Sequence, residues 1–170
     1  MNNIQNNYLV NLGRNIRKQM REKGLTVYDF GAGERMVDKS TISRIINSKE
    51  NLSRNKLDAF LETLVLKNSF CLYFHNNFFC YELIESTLEL IEREKTSCLY
   101  KILAKLLREK YVDFSMLDTY SLVRIYFVNN RDTMTNNLQH FMKESLTTTM
   151  SSFEVAKLYE IWIEDYLRNN

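Results

Sequence analysis

No proline interrupts this chain of 170 residues, and glycine occurs only four times. Proline breaks a helix by removing a donor and clashing with the preceding turn, and glycine inside one costs about 1 kcal/mol against alanine. In segment after segment the apolar residues recur at i, i+3, i+4 and i+7, the period of an amphipathic helix. The spacing predicts an all-α protein. No apolar run approaches the roughly 20 residues a membrane span requires, and the N-terminus lacks the basic-then-apolar layout of a secretory signal. A cytoplasmic chain is expected, with three unpaired cysteines and no disulfide framework.

Residues 1–66 read as four helices. The first covers about residues 8–23, with Leu12, Ile16 and Met20 on one stripe and Arg14, Arg17, Lys18 and Arg21 on the other side. Gly24 stops it, and Thr26 with Asp29 caps the next. That second helix, near residues 27–36, contains Gly31 and Gly33 and sends Phe30 and Met36 into the core. The third spans about residues 40–47, "STISRIIN", with Ile42, Ile45 and Ile46 on its inner face. Ser53 caps the fourth, whose Leu57, Phe60, Leu61 and Leu64 keep the helical period.

The outer face of the third helix carries Lys39, Ser40, Thr41, Ser43, Arg44 and Asn47, short hydrogen-bonders and two cations. Two short helices joined by a tight turn, the second slim and polar outside, form a helix-turn-helix. The major groove is about 12 Å wide, so a helix that enters it needs a narrow face. Arg44 suits a guanine edge and Lys39 a phosphate, while Arg17 and Lys18 suit the backbone. Lys49, Asn51 and Arg54 are placed to grip phosphates beyond the groove. Charge agrees: residues 1–66 hold 11 Lys/Arg against 7 Asp/Glu, whereas residues 67–170 hold 12 against 14. The plainer alternative is a helical bundle whose third helix is polar without purpose.

"LGRNIRKQMREKGLT" followed by "VDKSTISRIINSKENLSRNKLDAFLETL" resembles the XRE-type helix-turn-helix of bacterial repressors, and more narrowly the Rgg/MutR regulators of low-GC Gram-positive bacteria. The likeness rests on Leu12-Gly13, Ile16-Arg17, Leu25-Thr26, Ser40, Ile42, Ser43, Arg44 and Leu52-Ser53. Two places depart from the pattern. The glutamate and glycine that commonly end the recognition helix are replaced by Ile46-Asn47-Ser48, and the stretch from Thr26 to Ser40 is slightly long. The resemblance implies a DNA-binding domain over residues 1–66 and, over residues 67–170, an array of antiparallel, TPR-like helical hairpins for dimerisation or ligand binding. "YEIWIEDYLRNN" is similar to a family segment with Trp followed by Tyr, Leu and Asn. Family members are longer, so the chain is expected to be a truncated or a naturally short member.

Past residue 66, "NSFCLYFHNNFFCYEL" reads as one buried hinge helix. Its stripe of Phe70, Tyr73, Phe74, Phe78 and Phe79 suits core or a dimer face. Five further helices follow, with breaks expected at "KTS", "VDFS", "NNRDT" and "TTTMSS". Glu82, Glu85, Glu89, Glu92 and Glu94 read as a solvated acidic face rather than catalytic carboxylates. Cys71, His75, Cys80 and His140 lack the close Cys-x-x-Cys pairs of zinc sites. Neither an enzyme nor a cofactor is expected. The reading is a transcriptional regulator, a homodimer on a pseudo-palindromic double-stranded DNA operator, modulated by a short signalling peptide. A module that antagonises a longer paralogue and a phage-type repressor without a small ligand remain alternatives.

Overall fold

The computed structural model describes residues 2–31, 37–74 and 76–170. The expectations for Gly33, Met36 and His75 lie outside these residues. Among the described residues all regular structure is helical.

Helix α1 runs Asn3–Glu22, starting earlier than expected because Ile4 and Tyr8 extend the buried stripe of Leu12, Ile16 and Met20. Asn2 caps it, its side chain accepting from the Gln5 N–H at 2.9 Å. The expected second α-helix is instead a 3-10 helix over Val27–Gly31. Asp29 folds back onto Thr26, taking its N–H at 2.5 Å and its hydroxyl at 2.9 Å, which favours one tight turn over a longer helix. Phe30 is buried there against Phe60, ring centroids 4.8 Å apart. Helices α2 (Lys39–Ile46) and α3 (Arg54–Thr63) follow as the periodicity predicts.

The aromatic stretch is two helices, α4 (Ser69–Tyr73) and α5 (Asn77–Arg93). Asn68 caps the first through the Cys71 N–H at 3.0 Å, and Asn76 caps the second through the Phe78 N–H at 2.7 Å. Asparagine competes for backbone groups and so starts helices more readily than it continues them. Tyr73, Phe74 and Phe79 are core, Phe70 is half-buried, and Phe78 is exposed under the Lys18 ammonium.

Helix α6 spans Cys98–Lys110, a 3-10 turn covers Val112–Phe114, and α7 runs Thr119–Ser145 without a break. The interruption expected at "NNRDT" does not occur. Tyr126 and Phe127 before it and Met134, Thr135 and Leu138 after it stay on one buried stripe, and the polar residues are absorbed by bonds. Asn130 donates to the Tyr126 carbonyl at 2.8 Å, and Asp132 accepts from the Tyr81 hydroxyl at 2.6 Å. Helix α8, Ser152–Asn169, opens with a capping box between Ser151 and Glu154.

Helix α1 packs on α5 and α8, α5 on α6 and α7, and α6 on α7 and α8. One hydrophobic core therefore continues across residues 66–67. At its centre the Tyr8 ring stands 5.6 Å from Phe74 and 5.7 Å from Tyr159. The Tyr159 hydroxyl pairs with Thr87 at 2.8 Å, whereas the buried Tyr8 hydroxyl has no hydrogen-bond partner among the described residues. Burial raises the Tyr8 phenol well above its ordinary value, so it stays neutral. The acidic face of α5 is only partly solvated: Glu92 is buried, 3.8 Å from Lys95, and Glu89 pairs with Arg124 at 3.5 Å.

Candidate nucleic-acid interface

Helix α2 is set by its two ends. At the start, Asp38 accepts from the Ser40 N–H at 2.9 Å and the Thr41 N–H at 3.2 Å. It also takes both hydroxyls, that of Thr41 at 2.7 Å and that of Ser40. Those hydroxyls hold the Asp38 carboxyl well below the usual carboxylate range, so it remains charged. Ser40 and Thr41 are thus committed to the cap. The positive end of the helix is already neutralised by Asp38, and sequence reading alone did not reveal it as the cap.

At the far end the chain turns through Ser48, in the left-handed region at φ 59°. The Ser48 N–H bonds the Ile45 carbonyl at 3.0 Å and the Lys49 N–H bonds the Arg44 carbonyl at 2.8 Å, closing a Schellman turn. This is where a glycine sits at least cost, and the departure from the family pattern falls here. The Ser48 hydroxyl offsets part of that strain by donating to the Leu9 carbonyl at 2.9 Å. Gly13 explains the close approach: a Cβ there would stand 2.4 Å from the Ile46 carbonyl oxygen. α2 therefore ends directly on the backbone of α1.

Between these ends Ile42 and Ile45 are buried and Ile46 is half-buried. Lys39, Ser43, Arg44 and Asn47 are exposed, as are Arg17, Lys18 and Lys49. Arg17 donates to the Asn47 side chain at 2.5 Å, and Asn47 donates to the Ser43 carbonyl at 2.7 Å. Arg17, Asn47 and Ser43 thus form one polar line from α1 to α2. Arg44 lies 3.3 Å from Glu50, which Lys56 also pairs. Lys39 rests over the Tyr28 ring at 5.2 Å.

Two residues of the expected contact set are bonded within the fold. The Asn51 side chain accepts from the Ser152 hydroxyl at 2.6 Å and the Phe153 N–H at 2.8 Å, capping α8. Arg54 is bound by Glu154 through two nitrogens. Between them Leu52 donates its N–H to the Ser152 hydroxyl at 2.8 Å and accepts the Ser152 N–H at 2.9 Å. The loop after α2 is clamped to the start of α8.

Lys18 points away from α2. With Arg14, Arg17 and Arg21, spaced as one helical stripe, it lines a groove of about 270 Å³ whose other wall is Asn76, Phe78, Phe79 and Glu82. Arg14 and Arg21 were visible in the sequence as part of that stripe but were not assigned to the interface.

The fold and site define an all-α chain that presents a short polar helix on a well-anchored base. Comparison with protein-family models, curated proteins and solved structures gives no match to this chain.

Proposed function

We propose that the chain is a sequence-specific DNA-binding regulator that reads an operator through α2. The observation that carries this reading is the division of that helix. Ile42 and Ile45 are buried, while Ser43, Arg44 and Asn47 stand exposed beside Arg17. The proposed DNA-contacting set contracts from the sequence expectation to these residues with Lys39 and Lys49 as phosphate contacts, since Ser40, Thr41, Asn51 and Arg54 are engaged by Asp38 and α8 and Lys18 lies over the Phe78 ring. The 3-10 turn at residues 27–31 and α2 take the place of the helix-turn-helix pair. Helices α5 to α8 are read as stacked hairpins, because each touches both the next helix and the next but one wherever these exist.

Selection from a random pool of duplexes tests the reading directly. Arg44→Ala is expected to weaken the recovered site by about 1–3 kcal/mol and to relax one base position. Lys49→Ala is expected to weaken all sequences alike and to shallow the salt dependence. Equal binding by both variants and the parent rejects the face. A second reading, a protein-interaction module, draws on the pairing of Arg44 with Glu50, which lowers the free charge on α2. Salt separates the two: phosphate contacts lose affinity steeply with ionic strength, and an apolar heterodimer does not.

A further inference from the structure

The connection between α6 and α7 displays apolar residues that the fold leaves uncovered. Met116 is 96% exposed, Val112 66%, Phe114 48%, Tyr120 43% and Leu117 40%. The segment is held in shape. The Phe114 N–H bonds the Tyr111 carbonyl at 2.9 Å, the Leu117 N–H bonds the Phe114 carbonyl at 2.9 Å, and the Tyr111 and Phe114 rings meet edge-on at 6.2 Å. Asp118 then caps α7 through the Ser121 N–H at 2.7 Å. A rigid apolar display of this kind marks an interaction surface.

Beside Met116 lies a pocket of about 260 Å³ whose walls include Arg108, Tyr111, Val112 and Leu122, together with Ser115 and Leu117, the residues on either side of Met116 in sequence. Projection and recess thus belong to one patch. A two-fold interface requires that pairing, because each copy must offer both the side chain and the hole that receives it. Charge agrees. Arg108 precedes the patch and Asp113 lies within it, both exposed and neither in an ion pair among the described residues. Tyr120 is engaged by Arg124, which donates to its hydroxyl at 3.3 Å. The other four exposed side chains, at on the order of 100 Å² apiece, give about 400 Å², half of a standard face of roughly 800 Å² per partner.

We infer that residues 111–120 form the contact with a second copy of this chain, Met116 of each copy entering the recess of the other. The choice of a second copy rests in part on the operator reading above, since a pseudo-palindrome needs a two-fold contact that leaves α2 free. α6 packs on α5, α7 and α8, and α2 on α1 and the 3-10 turn, so the two surfaces share no element.

Sedimentation of the full chain without DNA tests this. The parent is expected to be a dimer at micromolar concentration. Met116→Asp, at a position too exposed to disturb folding, is expected to raise the dimer dissociation constant at least tenfold with an unchanged circular dichroism spectrum. Val112→Asp is expected to act in the same direction. A parent that stays monomeric at 100 μM overturns the inference, and so does a dimer that neither variant weakens. A monomer that instead co-sediments with phosphatidylcholine vesicles assigns the patch to lipid and also overturns it. None of these outcomes touches the Arg44 and Lys49 test, so the dimer surface and the operator reading fail separately.

Discussion

Residues 39–49 and residues 51–54 are built from the same chemistry, serine, asparagine and a cation, and the fold uses them in opposite ways. In the first group Lys39, Ser43, Arg44, Asn47 and Lys49 hang outward from a helix pinned by Ile42 and Ile45. The second turns toward the start of α8 and bonds to it. What separates them is the backbone. In α2 the interior carbonyls and N–H groups are satisfied within the helix, which frees the side chains. Loop 51–54 and the first turn of α8 each have orphan groups, and each satisfies the other's. A polar residue is available to a ligand only where the backbone around it is already paired.

Removing the inner anchor should have the largest effect. Ile42→Ala takes away a fully buried side chain and is expected to destabilise the chain by about 2–5 kcal/mol in urea denaturation. Ser43→Ala, one residue on and exposed, should stay within about 0.5 kcal/mol while weakening DNA binding, which sharpens the contrast. Ser152→Ala strips the clamp of the hydroxyl that serves both Leu52 and Asn51. The expected loss is about 1–3 kcal/mol, with faster hydrogen exchange at the Leu52 amide as the local readout.

The clamp should also respond to acid. Hydrogen bonds from Arg54, and then from Ser151, hold the Glu154 carboxyl down at about 2, against an ordinary 4.5. Because the folded value is depressed, this contribution is complete above about pH 4.5 and is lost as pH falls towards 2. Thermal melts from pH 7 to pH 2.5 should show the gap between parent and Glu154→Gln closing over that window. A constant gap would mean that the ion pair does not hold the loop.

A modest gain in stability is expected at the helix ends. α1, α2 and α3 all finish in the same Schellman turn, with Gly24, Ser48 and Val65 at the left-handed position. Glycine adopts it freely, serine at a cost that its bond to Leu9 offsets, and a β-branched valine only under strain. Val65 is 83% exposed, so Val65→Gly gives up little burial and should stabilise by about 1 kcal/mol in the same denaturation series.

What the sequence made legible was whatever rests on neighbours a few positions away. The stripes of α1, α2 and α3 and the division of α2 into inner and outer faces follow from period alone, and the structure has them. The break expected within α7 failed because Asn130 and Asp132 satisfy themselves against Tyr126 and Tyr81, and Met134 and Leu138 keep the helix on the core. The single aromatic helix failed for the opposite reason, since Asn76 starts a new helix rather than continuing the old one. The pairing of Asn51 and Arg54 within the fold was not legible because their partners, Ser152 and Glu154, lie about a hundred residues further on. No local pattern carries that information.

The bonds joining Leu52 and Asn51 to Ser152 also set an order of events during synthesis. Chains fold from the N-terminus as they emerge, at about 5–20 residues per second. The loop that follows α2 emerges several seconds before its final attachments, which must wait until residue 152 has left the ribosome. In a nascent chain halted short of that point, α1, the base of α2, would still lack its packing against α8.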